Sequence, residues 1–136
     1  MSGVDPFFDT SVLIYLLSED EEKADRVEEL LAENGVISVQ VLNEFTTVSR
    51  GKFGLSSLEC REILGTVRAV CETQPLTVES HDLGIEISDR YGFSVYDSMI
   101  VASASLAGCK TLYSEDLQHR QVIDGKLTVM NPFKSE

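Results

Sequence analysis

Asp9, Glu44, Asp97 and Asp116 are the residues of this chain whose surroundings suggest chemistry. Asp9 follows Phe7-Phe8, at the carboxyl end of a predicted strand. An Asp there could also cap the next helix, although Thr10 and Ser11 could do so equally well. Glu44 falls at i+3 inside the stripe Val41, Phe45, Val48 of a predicted helix, at i, i+4 and i+7. A carboxylate facing the core side costs several kcal/mol unless it is paired or bound to a metal. No Lys or Arg stands at i±3 or i±4 to pair with it. The other reading puts Glu44 at the edge of the stripe, reaching water. Asp97 ends the pattern Ser94-Val-Tyr-Asp before the apolar run Met99-Ile-Val-Ala102, which is a capping-box signature. It is equally compatible with an ionised carboxylate held at a helix N-terminus. Asp116 follows the predicted strand Thr111 to Tyr113, in Ser114-Glu-Asp-Leu. A solvated loop acid is the alternative there, and Glu115 is a weaker candidate for the same role. Carboxylates brought together repel one another, so a cluster of these four implies a compensating cation. Oxygen donors without His or Cys at ligand spacing suggest Mg²⁺, with Mn²⁺ as a substitute, and not zinc.

The elements that would position these acids alternate between short apolar runs and helical patterns. Phe7-Phe8 and Val36-Ile37 read as strands, as do Thr111 to Tyr113, Leu127 to Met130 and Pro75-Leu-Thr-Val78. Helices are expected from Thr10 or Ser11, from about Glu21, from Gln40 to Arg50, from Ser56-Ser57 to about Cys71, from His81 to Tyr91 and from Val95 to Leu106. In the second of these, Ala24, Val27, Leu30 and Leu31 share one face, and Asn34-Gly35 stops it. Such alternation predicts an α/β fold: a three-layer α/β/α sandwich with a central, mainly parallel sheet. Ligands in such sheets sit beyond the carboxyl ends of the strands, where three of the four acids lie.

The 136 residues, 43% of them hydrophobic, are expected to form one domain over 1–136 with a core that needs no crosslinks. No apolar run of ~18 residues is present, so no membrane span is expected. The start MSGVDPFF lacks the basic and apolar regions of a signal peptide, which predicts a cytoplasmic protein. Cys60, Cys71 and Cys109 are odd in number and form no C-x-x-C, so reduced, buried thiols are expected rather than disulfides or a zinc ribbon. The net charge of −12 by itself opposes nucleic-acid binding, which needs Lys and Arg. It is compatible with a solubilising surface, or with acids around a divalent cation that supplies the missing positive charge.

Four segments in order carry a resemblance: Phe8-Asp-Thr-Ser-Val-Leu-Ile-Tyr-Leu-Leu17, Val41-Leu-Asn-Glu-Phe45, Tyr96-Asp-Ser-Met-Ile-Val-Ala-Ser-Ala104 and Leu112-Tyr-Ser-Glu-Asp-Leu117. With Ile123-Asp-Gly and Asn131-Pro-Phe, they make the chain resemble PIN domains over nearly its whole length, and within them the toxin ribonucleases of the VapC type. Residue by residue, that family's acidic quartet falls on Asp9, Glu44, Asp97 and Asp116. Ser11 matches a frequent hydroxyl near the first acid. Ser114 matches a hydroxyl, often threonine, two residues before the last. The resemblance implies a Mg²⁺-dependent endoribonuclease that hydrolyses single-stranded or loop RNA by in-line attack of an activated water. It also implies a cognate antitoxin and frequent homodimerisation. An acidic cleft invites a bidentate guanidinium, so the antitoxin is expected to insert an Arg.

Arg50 and Lys52, and His119 and Arg120, are the cations expected on the rim of such a site. His81 and His119 have no evident orienting partner in the sequence and are expected at the surface. A receiver-like signalling domain would need paired acids after the first strand and a Lys after the last, whereas Asp9 has no adjacent acid and Lys126 precedes the final strand. A non-catalytic interaction protein of the same fold, or an RNA-processing enzyme without an antitoxin, are the other readings.

Overall fold

The computed structural model describes residues 5–134. Strand β1 (Phe7–Phe8) leads into α1 (Thr10–Leu13), which tightens into a 3₁₀ turn over Ile14–Leu17, and then into α2 (Glu21–Leu31). Strand β2 (Gly35–Ser38) runs directly into α3 (Val39–Gly51), followed by α4 (Ser57–Val70) and β3 (Cys71–Gln74). Helices α5 (Val78–Tyr91) and α6 (Val95–Leu106) pack on each other and precede β4 (Thr111–Tyr113), β5 (Val122–Ile123) and β6 (Leu127–Met130).

The sheet order is β3-β2-β1-β4-β6-β5, parallel except for the antiparallel β5–β6 edge. The chain moves outward from β1 through β2 to β3, then returns across the sheet to β4. Right-handed crossovers therefore put α1–α4 on one face and α5–α6 on the other, giving three layers. The direction reverses between β1 and β4. That switch point opens a crevice beyond the carboxyl ends of the two strands, and Asp9 and Ser114 are the residues that follow them.

Phe7 and Phe8 are fully buried, as suits a central parallel strand covered on both faces. A Cβ on Gly35 would stand 2.5 Å from the Phe8 ring, so glycine is needed here for close packing. The positive φ after α2 falls on Asn34, at 73°; Gly35 therefore opens β2 instead of capping the helix. The predicted strand at Pro75 to Val78 is displaced: β3 is Cys71–Gln74, and Thr77 caps α5 through the hydroxyl that accepts the Ser80 N–H at 3.0 Å. Strand β5 was not anticipated; two residues carry no readable period. It joins β6 through a turn with positive φ at Asp124 and Gly125, the pairing that tight hairpins favour. The three cysteines are buried and unbridged. Among the described residues no helix is long and apolar enough to cross a membrane.

Candidate active site

Asp9, Glu44, Asp97 and Asp116 line one cleft of about 800 Å³ at the switch point, with Thr10, Ser11, Gln40 and Tyr96 among the other walls. Four separate elements supply the acids: the end of β1, the middle of α3, the first turn of α6 and the loop after β4. None of the lining residues is Lys, Arg or His.

Asp9 is 4% exposed. It occupies the N-cap position of α1 without making a side-chain cap bond. The hydroxyls of Ser114 and Ser11 both donate to its Oδ2, at 2.8 and 3.0 Å. Oδ1 has no hydrogen-bond partner among the described residues. Ser114 Oγ also accepts the Asp116 N–H at 3.1 Å, and Ser11 Oγ the Glu115 N–H at 3.0 Å. The two serines thus lock the loop after β4 onto Asp9. Burial pushes the Asp9 carboxyl up to about 6; the two serine bonds oppose this, while the charges of Asp116 and Asp97 add to it. The Asp116 carboxyl is also raised, by desolvation first and then by Asp97, Glu115 and Glu44. The ion pairs among the described residues, Lys23–Glu115, Arg26–Glu29, Arg90–Glu86 and Arg90–Asp124, take other acids. No Lys, Arg or His among the lining residues offsets the repulsion between these carboxylates.

Glu44 is half-buried and held at both oxygens. Thr10 Oγ1 donates to Oε1 at 3.0 Å, and Gln40 Nε2 to Oε2 at 3.1 Å. Gln40 Nε2 also donates to the Tyr96 carbonyl at 2.9 Å, tying α3 to the residue before Asp97. At α6, Ser94 Oγ accepts the Asp97 N–H at 3.1 Å, but no return bond joins the Asp97 carboxylate to the Ser94 N–H among the described residues. Half of the expected capping box forms, and the carboxylate faces the cleft.

Several neighbours differ from expectation. Glu115 turns away from the cleft, accepting from Tyr15 Oη at 2.7 Å and pairing with Lys23 at 3.5 Å. His119 is half-buried rather than superficial: its Nδ1 accepts the Asn131 N–H at 2.9 Å, and its Nε2 is buried with no partner among the described residues. It does not line the cleft, whereas His81 is exposed as expected. Arg50 lines a different cavity, and Lys52 caps α3 with its ammonium 5.6 Å from the Phe53 ring centroid. Nothing in the sequence marks Tyr96 as a site residue, and Thr10 is offered there only as a possible helix cap. Gln40 stands at i−4 to Glu44, a helical hydrogen-bonding spacing, and that was the available signal.

Among the described residues no three Asp, Glu, His or Cys side chains stand close enough to hold a metal ion by themselves. A cation here would have one or two carboxylates from the protein and the rest of its coordination from water. Mg²⁺ binds in this way. The oxygen-only donors and the unneutralised Asp9 suit such a hard ion and not zinc or a closed calcium cage.

Residues 7–124 match the family model described as PIN domain. The chain is similar in structure to a toxin–antitoxin complex from Klebsiella pneumoniae, with 20% identity, a TM-score of 0.70, and coverage of 96% of this chain and 99% of that one. It is similar also to VapC20 of Mycobacterium tuberculosis, a sarcin-ricin loop cleaving toxin, at 20% identity and TM-score 0.65 over 80% and 88% of the two chains. A third is VapBC2 of Rickettsia felis bound to a DNA fragment from its promoter, at 17% identity and TM-score 0.65 over 91% and 96%. At these identities the likeness is one of fold. No curated protein matches the sequence.

Proposed function

The chain belongs to the PIN domain family, and from that premise we propose that it is a Mg²⁺-dependent endoribonuclease, the toxin of a toxin–antitoxin pair. The observation that carries the reading is the cleft itself. Four elements bring carboxylates to it, and no cation lines it. In this reading Asp9 and Asp97 are the principal ligands, and Glu44 and Asp116 complete the site through water or orient the attacking water. A bound Mg²⁺, or Mn²⁺ in its place, would neutralise charge at the scissile phosphate and make an attacking water more acidic.

The protein's own contribution is orientation. Ser11 and Ser114 fix Asp9 by one oxygen and leave the other for a ligand. Thr10 and Gln40 hold Glu44 in one rotamer. The N-terminus of α6 favours the ionised form of Asp97. The toxin assignment is supported by the structural neighbours, which include a sarcin-ricin loop cleaving toxin and a toxin–antitoxin complex. It carries with it an RNA substrate, an antitoxin that places an Arg in the cleft, a homodimer and a cytoplasmic location.

The test is cleavage of a pool of structured RNAs by the full chain with Mg²⁺ or Mn²⁺. Activity should disappear with EDTA and in a folded Asp97→Asn protein. Wild-type rates in folded Asp9→Asn and Asp97→Asn proteins would end the proposal.

A further inference from the structure

A second cavity, of about 550 Å³, lies between α3 and α4, and it is lined by Arg50, Arg61 and Arg68 with the hydroxyls of Thr46 and Ser57. No Asp or Glu lines it. Three of the chain's eleven Lys and Arg residues therefore converge here, and none of the three makes an ion pair among the described residues. In a chain of net charge −12, a cavity lined by three arginines and no carboxylate is a local reversal of sign. The helix dipole accounts for Arg50 and Arg68 one at a time, since each sits in the last turn of its helix. It does not account for Arg61 in the second turn of α4, nor for all three facing one cavity.

Gly65 is an independent sign. It lies in the interior of α4, where glycine weakens a helix relative to alanine. Packing does not require it, because a Cβ there would meet nothing within 4 Å. It stands at i+4 from Arg61 and i−3 from Arg68, on the same helical face. Its lack of a side chain leaves that stretch of the cavity wall open beside Arg61 and Arg68.

The acidic cleft offers RNA no cation, yet phosphate contacts are what give a nuclease most of its affinity for the strand. Helix α3 is the wall shared by the two sites: Glu44 and Thr47 line the cleft, Thr46 and Arg50 the cavity. They are separated by about one helix diameter, ~10 Å, which one strand can span. We propose that the Arg50–Arg61–Arg68 cavity binds the phosphate backbone of the RNA strand whose scissile bond lies in the acidic cleft. This rests on the ribonuclease reading above.

The experiment follows fluorescence anisotropy of a labelled single-stranded oligouridylate bound to the full chain in EDTA, across a KCl series. The double variant Arg61→Gln/Arg68→Gln should bind about tenfold more weakly, with a log–log salt slope shallower by about 1.4, or ~0.7 for each lost phosphate contact on a single strand. Gly65→Glu, which sets a carboxylate on the cavity floor, should weaken binding similarly. Asp97→Asn should retain binding while losing Mg²⁺-dependent cleavage. Unchanged affinity and slope in both cavity variants would overturn the proposal, as they would if the natural occupant were an acidic protein segment. A wild type that does not bind the oligonucleotide would overturn it as well. In either case cleavage by wild type and not by Asp97→Asn would leave the nuclease reading standing.

Discussion

The N-termini of α4 and α6 begin with nearly the same signature, Ser56-x-x-Glu59 and Ser94-x-x-Asp97, and use the acid differently. At α4 the box closes both ways: Ser56 Oγ accepts the Glu59 N–H at 3.1 Å, and Glu59 Oε1 accepts the Ser56 N–H at 2.8 Å. At α6 only the serine half forms. Aspartate is one methylene shorter, so its carboxylate reaches back less readily and is left to face the cleft. The caps of α1 and α2 repeat the contrast. Asp20 accepts the Lys23 N–H at 3.2 Å, whereas Asp9 stands at the same position of its helix with no cap bond. Acids with a local backbone partner stabilise helices; acids relieved of that duty are the ones the fold gathers at the switch point.

The largest expected effect separates Asp97 from Glu59. Asp97→Asn should lower RNA cleavage by at least ~10³-fold, since metal-assisted stabilisation of the transferring phosphate is worth several kcal/mol. Glu59→Gln should leave the rate unchanged. Comparable losses in single-turnover assays of both would break the comparison.

Asp9 sharpens it next. Its folded carboxyl is raised to about 6 from 3.8, so between these values the folded state binds more protons than the unfolded one. Stability must then fall as pH rises through this window, and the full loss is present above about 6. A shift of about two units corresponds to ~3 kcal/mol. In EDTA, Asp9→Asn should therefore be more stable than wild type by up to ~3 kcal/mol at pH 8, with the gain shrinking towards pH 4. Added Mg²⁺ should narrow the difference at pH 8 by stabilising wild type. Urea denaturation at both pH values checks this, and a pH-independent difference would show that ionised Asp9 is already compensated. The smallest effect is at the ordinary cap: Asp20→Ala should cost ~1 kcal/mol of stability without changing the cleavage rate.

Much of this was legible in the sequence because strong local rules agree with the fold. Phe7-Phe8 ending at Asp9, and the Glu44 stripe interruption, are visible as pattern violations. What was illegible depended on tertiary context. Cys71 continues the helical spacing of Leu64 and Val67, so β3 hides at the end of α4. The Thr77/Ser80 cap has serine where a box usually carries Glu or Gln, so the pattern starts α5 late, at His81, and leaves Pro75 to Val78 reading as a strand. Gln40 looks like any polar helical residue until its two bonds, to Glu44 and across to the Tyr96 carbonyl, are seen. The burial of His119 depends on Asn131, contributed by the chain after β6.

The central place of β1 has a consequence for when this protein can act. Asp9 is made well before the hydroxyl that fixes it, on Ser114, 105 positions later. Strand β1 also finds one of its two neighbours only when β4 exists. Because synthesis delivers the N-terminal part first and distant pairings close last, an unfinished chain carries Asp9 without its geometry. The crevice is completed only once β4 and the loop after it are in place, so the site is a product of the whole sheet and not of its first strand.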